Sequence, residues 1–301
     1  MINTVLGSIE KEKLGRTLCH EHVIINLSTI REDNDSELND INLMANELTL
    51  CKKLGMDSLI EVTNIGMGRN VEKLKEISKK SNMNIIASTG FYTIPYYPGY
   101  IKSKTINELS QIMISEITDG IDGTNIKAGI IGEIGTSLSN IEDISLKVFD
   151  AAIIAHKETK VPISTHCEIG TMGYEQAIYL KKNKVDMSKV IIGHTDLVKD
   201  INKIIKILDT GANVGFDTIG KESYVSNESK AHIISKLVEL GYENQILLSQ
   251  DVTRKSYLKN NNSFGYVEVS QKFIPLLVSL GIKEDVINKF IIANPMKILD
   301  I

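Results

Sequence analysis

Four of the chain's six histidines and two of its carboxylates have the types and spacing of a metal centre. His20 and His22 frame Glu21 at the end of an apolar run, His166 and His194 each close another, Glu133 follows Ile130-Ile131-Gly132, and Asp251 follows Ser249-Gln250. Side chains alternate along a strand, so the two imidazoles of His20-Glu21-His22 fall on one side, with Cα atoms about 6.6 Å apart. That separation lets both reach one ion, while Glu21 points into the wall. Six ligands exceed what one tetrahedral zinc takes, and a catalytic site must also keep a position for water. Two divalent ions about 3.5–4 Å apart, joined by a carboxylate and a hydroxide, use the whole set. On this reading His20, His22 and Asp251 hold one ion, His166 and His194 the other, and Glu133 bridges. Such a centre lowers the pKa of the bridging water and attracts an electron-rich substrate oxygen. Imidazole and carboxylate ligation suits zinc, and also admits manganese, cobalt, nickel or iron.

Something must bring together residues more than two hundred positions apart. Eight β-branched apolar runs, at 17–22, 58–63, 84–89, 128–132, 161–166, 190–194, 212–217 and 246–251, read as strands. Between and after them, segments at 43–54, 71–80, 106–118, 142–157, 174–182, 201–208, 230–240, 266–280 and 283–292 carry helical spacing. The runs are apolar nearly throughout, as in a parallel sheet buried on both faces. Leu54-Gly55, Thr210-Gly211 and Leu240-Gly241 place glycine just past a helix end. Eight strand–helix units in 301 residues, with no linker or low-complexity tract, predict one α/β domain over 1–301, a (β/α)8 TIM barrel. In that fold the carboxyl ends of the strands converge on one face, where active sites sit.

Composition narrows the function classes. Hydrophobic residues make up 42% and charged residues 24%, which excludes disorder as the main state. Lys+Arg 34 against Asp+Glu 38 leaves a formal charge of -4, with no electrostatic case for nucleic acid or an anionic membrane. No apolar run approaches a membrane span, and the first residues lack a signal peptide's basic start and long apolar stretch. Cys19, Cys51 and Cys167 form no CxxC pair or disulfide framework, so they read as core thiols of a reduced, cytoplasmic protein. Cys19 and Cys167 adjoin ligand histidines, and alternation turns them away from the centre.

The ordered motifs carry a resemblance. The strand-end HxH, Gly66-Met-Gly-Arg-Asn, Lys127-Ala-Gly-Ile-Ile-Gly-Glu-Ile-Gly-Thr, Ser164-Thr-His, Gly193-His-Thr-Asp, Phe216-Asp-Thr-Ile-Gly-Lys and Ser249-Gln-Asp-Val-Thr-Arg together resemble the phosphotriesterase family of the amidohydrolase superfamily, over essentially the whole chain. The likeness is greatest to its phosphotriesterase homology proteins. The resemblance implies a barrel with a binuclear centre, and a dual role for Asp251 as ligand and proton acceptor. In phosphotriesterases and related lactonases the bridging ligand is a carboxylated lysine. Glu133 stands in that position, as it does in the homology-protein branch, and supplies the same oxygens without carbon dioxide.

Substrate contacts are read from the loops beyond the strand ends. Arg69 opens the second helix, Lys221 follows strand seven and Arg254 and Lys255 follow strand eight; cations there would clamp a phosphate or carboxylate. Arg69 and Arg254 match family motif positions, whereas Lys221 and Lys255 also read as plain solvated loop charges. Tyr92, Tyr96, Tyr97 and Tyr100 follow strand three with Pro95 and Pro98; they read equally as walls of the pocket, foremost Tyr92 and Tyr96, and as loop packing against the rim. His156 and His232 lie in helical segments and read as structural or surface residues.

The expected function is binuclear metal-dependent hydrolysis of a small-molecule ester, foremost a lactone, phosphorylated or otherwise anionic. The alternatives are a phosphotriester or phosphodiester hydrolase, a non-catalytic metal-binding barrel, and a metal-free barrel using a Schiff-base lysine such as Lys127. Barrels of this kind commonly pair, so a homodimer is admitted, with no interface identified by sequence.

Overall fold

The computed structural model describes residues 1–301. Its centre is an eight-stranded parallel sheet: β1 (Thr17–Glu21), β2 (Ser58–Glu61), β3 (Asn84–Thr89), β4 (Ile130–Thr136), β5 (Ile163–Cys167), β6 (Val190–Ile192), β7 (Asn213–Phe216) and β8 (Ile246–Leu248). Hydrogen-bonded neighbours run in sequence order from β1 to β8, so each crossover returns beside the strand just left. The helices α1 (Ile41–Lys53), α2 (Val71–Ser81), α3 (Ile106–Thr118), α4 (Asp143–Thr159), α5 (Gly173–Lys182), α6 (Ile201–Leu208) and α7 (Asn227–Glu239) follow successive strands. The predicted (β/α)8 barrel is the observed fold.

Local signals start the helices. Asp40 accepts from the amides of Asn42 and Leu43, Asn70 from Lys73, and Thr105 forms a reciprocal capping box with Glu108. Seventy buried apolar residues pack mainly between sheet and helices. A second cluster of 11 fills the barrel's lower interior, where Cys19, Ile60, Ile86, Ile130, Ile191 and Leu247 meet the terminal residues Ile2, Ile298 and Leu299. Cys19 thus faces inward beneath the histidines, because β1 shifts register between Leu18 and Glu21. Simple alternation had it turned away.

Predicted and observed limits differ most at β4, which runs on to Thr136 because Gly132 bends the strand instead of ending it. The 266–280 segment is also not one regular helix. A π-helical turn spans Val269–Phe273 before the α-helical Ile274–Ser279, and another spans Lys289–Ala293 before Asn294–Leu299. Each widened turn precedes a proline, Pro275 or Pro295, whose missing N–H leaves a carbonyl one turn back without its helical donor.

No strand ladder joins β8 to β1. The buried carboxylate of Glu21 spans this seam, accepting from Ser249 Oγ at 2.7 Å, Gln250 N at 2.7 Å and Val252 N at 3.1 Å. Ser249 Oγ in turn accepts from the His20 amide at 3.0 Å, and the Asp251 amide donates to the His20 carbonyl at 3.3 Å. Glu21, read from sequence as a wall residue, is the clasp of that wall. No helix is long and apolar enough to cross a membrane.

Candidate metal centre

All six predicted ligands meet at the carboxyl end of the barrel and all are buried. Glu133, in β4, lies at their middle. Its Oε1 is 3.3 Å from His22 Nε2, while its Oε2 is 3.4 Å from His20 Nε2, 3.0 Å from His166 Nδ1 and 3.7 Å from His194 Nε2. Asp251 Oδ1 closes the near side, 3.2 Å from His22 Nε2 and 3.8 Å from His20 Nε2. Two overlapping sets, His20–His22–Asp251 and His20–Glu133–His194, each bring three donor atoms within 4.8 Å of one another. His20 belongs to both sets, whereas the sequence reading assigned it to one ion only.

The backbone contributes to this convergence. Register shifts occur in β1 between Leu18 and Glu21 and in β4 between Ile131 and Ile134, so His20 and Glu133 both project from irregular stretches. His194 and Asp251 each adopt φ of 54°, a left-handed conformation that costs a non-glycine residue about 1–3 kcal/mol. Such strain persists where surrounding structure enforces it, and here it turns two donors toward one point.

Further groups orient the rings. Asp217 Oδ1 lies 2.8 Å from His194 Nδ1, and Thr63 Oγ1 lies 2.8 Å from His22 Nδ1 while donating to Glu61 Oε1 at 2.6 Å. These contacts leave Nε2 of both rings for the centre, an arrangement common to metal-ligating histidines. Gly215 is required nearby, since a Cβ there would strike the Asp217 carboxylate. Asp217 and Thr63 were not singled out from sequence, although Asp217 ends the seventh predicted run and the strand-end rule reaches it.

The electrostatics suit cations. Burial pushes the Glu133 carboxyl up, but His20, His166 and His194 outweigh it and hold it well below the usual carboxylate range. Burial likewise lowers His22, yet Asp251 and Glu133 raise it to about 9. Asp251 is driven up by burial and further down by Lys221 and the imidazoles. The potential that draws a proton to these rings also draws a divalent ion. Fit to a metal has a direct mark: both ring nitrogens of His20 are buried without a hydrogen-bond partner. Buried polar atoms are otherwise almost always satisfied, and a coordinated ion would satisfy one of these.

Above the cluster opens a cavity of about 620 Å³. Of the predicted substrate residues, Tyr92, Tyr96, Lys221 and Arg254 line it. The Tyr92 ring stands edge-on to His166, with centroids 4.8 Å apart, and packs on Tyr96 at 5.1 Å. Lys221 is buried, ion-paired with Asp251, and sits 5.4 Å from the centre of the Tyr257 ring. Arg69 is not brought to the cavity. Its guanidinium makes a two-pronged pair with Glu116 at 2.7 and 2.8 Å, donates to the Ser88 carbonyl at 2.9 Å and reaches Asp122 at 3.0 Å. Lys255 caps the Asn34 carbonyl, and His156 and His232 bond backbone carbonyls on helices away from the centre. Arg31 and Glu168, which the sequence reading passed over, do line the cavity. Lys127, the Schiff-base alternative, is exposed and precedes β4, at the opposite end of the barrel.

A parallel barrel with imidazoles and carboxylates converging at its strand ends is the architecture of a metal-dependent hydrolase. Comparison with known proteins gives the lineage. The phosphotriesterase family profile matches residues 1–299. The chain is 40% identical to the phosphotriesterase homology protein of Escherichia coli (strain K12), over 93% of this chain and 96% of that protein. A crystal structure of that E. coli protein with phosphate in its active site superposes with a TM-score of 0.94, covering 96% of this chain and 99% of the other. A lactonase from Listeria monocytogenes is 29% identical with a TM-score of 0.95, over 99% and 98% of the two chains. An aryldialkylphosphatase from Saccharolobus solfataricus is 30% identical, over 96% of each. The chain belongs to the phosphotriesterase family.

Proposed function

We propose that residues 1–301 form one catalytic barrel domain that hydrolyses a small carboxylic ester, foremost a lactone bearing an anionic group. The observation that carries this reading is the placing of Glu133 between His22 on one side and His166 and His194 on the other, beneath an open cavity. We assign His20, His22 and Asp251 to one divalent ion, His166 and His194 to a second, and Glu133 to both, with His20 near enough to serve either. Zinc suits these nitrogen and oxygen donors. When bound, the ions supply Lewis acidity toward the scissile carbonyl and the attacking water.

The chain's own groups do the rest. Asp251 turns Oδ1 toward the centre, where it takes the proton of the attacking water and returns it to the departing ring oxygen. Lys221, on the other carboxylate oxygen, keeps Asp251 ionised and oriented. Tyr92 and Tyr96 wall the cavity and exclude water from one side of the substrate. Water adds across the acyl C–O bond, and the ring opens to a hydroxy acid.

Phosphotriester or phosphodiester hydrolysis is the second reading, supported by the aryldialkylphosphatase among the relatives and by the same need for a polarised oxygen. Metal-loaded protein assayed on a panel of sugar lactones and organophosphates separates the two. Lactone turnover lost in Asp251→Asn is expected; efficient phosphoester turnover without lactone turnover overturns the lactonase reading.

A further inference from the structure

Three cations reach the cavity: Arg31, Lys221 and Arg254. Two already have anionic partners. Lys221 is paired with Asp251, and Arg254 Nη1 lies 2.9 Å from Asp33 Oδ2 and 3.6 Å from Asp35 Oδ2. Arg31, which ends the one-turn helix Ser28–Arg31 after β1, has no carboxylate within ion-pairing distance. It is half-buried, and although burial pulls its pKa down, Tyr92, Tyr96 and Asp251 more than offset this. A partly desolvated guanidinium without a counter-anion is an incomplete pair, because a charge leaving water must be matched.

The surroundings of Arg31 give the cavity a direction. Arg31, Lys221 and Arg254 come from the loops after β1, β7 and β8, which adjoin across the β8–β1 seam. The opposite arc, after β4, β5 and β6, presents Leu138, Ile169 and Leu197. Leu138 is 52% and Ile169 51% exposed, far more open than core residues of their type. The acid on that arc, Glu168, lies 3.1 Å from His166 Nε2 and would repel an incoming anion. On the seam side Arg31 is thus the cation without a paired carboxylate, and apart from Glu168 the residues named on the facing arc are apolar.

We propose that Arg31 is the receptor for a permanent oxyanion group on the substrate, with Leu138, Ile169 and Leu197 receiving the apolar part across the scissile bond. The inference rests on the reading of this cavity as a hydrolase site for an anionic ester and names the residue that selects for the charge. Neutral esters and esters with a cationic substituent are disfavoured by the same geometry. Arginine suits the role because its planar fork presents two parallel N–H donors to two anionic oxygens.

The test uses the full chain loaded with zinc, and compares a γ-lactone bearing a carboxylate with its uncharged primary amide. Arg31→Met should lower kcat/KM for the carboxylate about 10- to 100-fold, mostly through KM, on the usual strength of a charge-assisted hydrogen bond. Turnover of the amide should be unchanged, and Arg31→Lys should recover part of the loss. Equal loss on both substrates, or no loss on the carboxylate, overturns the proposal. A second measurement needs no turnover: calorimetric titration with ethanesulfonate, whose oxygens are poor metal ligands. Binding should weaken about tenfold in Arg31→Met, with metal content unchanged. Undiminished binding refutes the anchor. If no lactone reacts while sulfonate binding still depends on Arg31, the ester reading fails and the anchor stands.

Discussion

Asp217 Oδ1 lies 2.8 Å from His194 Nδ1, and the same carboxylate accepts from the His194 amide, so one acid fixes both the backbone and the ring of this residue. The ring cannot turn without losing the contact, and its Nε2 stays aimed at Glu133. Partners of this kind commonly change metal affinity by about 10- to 100-fold. Asp217→Asn should therefore lose metal to a chelator faster than the parent while its circular dichroism is retained. Metal content after timed chelator exposure checks this, and parent-like retention would remove Asp217 from the centre's support.

Glu133 offers one oxygen to each half of the cluster. Glu133→Gln keeps the volume and removes the charge that faces all four imidazoles. Bound metal should fall below two equivalents, and ester hydrolysis should fall with it. Elemental analysis of gel-filtered protein is the readout; two retained equivalents would show that the six-ligand assignment is wrong.

Arg69 answers a different experiment from the one its motif suggests. Its side chain is 3% exposed, paired with a Glu116 side chain at 10%, so Arg69→Met leaves a buried carboxylate without its partner. Breaking a buried pair costs about 3–5 kcal/mol of folding stability. Urea unfolding should register that loss. A raised KM without loss of stability would return Arg69 to the substrate.

His156 supplies a pH dependence away from the centre. Burial lowers its pKa below the ordinary value of about 6.5, and its Nδ1–H donates to the Val161 carbonyl at 2.8 Å. The unfolded chain binds the proton more readily than the folded one. Its contribution to stability is thus full above about pH 6.5 and is lost as pH falls from there through the folded pKa. Unfolding free energies of parent and His156→Gln, measured from about pH 7.5 down to about pH 5, should show the shallower acid slope in the variant.

The ligands were legible because each is an uncommon type at a place the barrel makes special. A histidine ending a β-branched run is conspicuous, and the fold alone gathers His20 with Asp251. Cations were less legible, because sequence shows a charge but not what neutralises it. Arg69 lies 47 positions from Glu116, and nothing local announces their pairing. Arg31 fails in the opposite sense. It sits in an irregular loop rich in acids, Glu32, Asp33 and Asp35, and only the folded loop shows that Asp33 and Asp35 turn to Arg254. The fourth predicted run ends at Gly132, whereas the strand continues through it to Thr136. The last helical segment, predicted to end at 292, runs on through a widened turn and Pro295 to Leu299.

The unladdered join between β8 and β1 bears on more than architecture. His20 and His22 stand on one bank of it and Asp251 on the other, so an ion held by all three is a rivet through the wall. Draining the centre leaves the Glu21 carboxylate and the two His20 backbone bonds to Ser249 and Asp251 as the fastenings along that meridian, beside the mouth of the cavity. An ion bound there would couple catalytic competence to the mechanical integrity of the shell, and would serve as masonry as well as reagent.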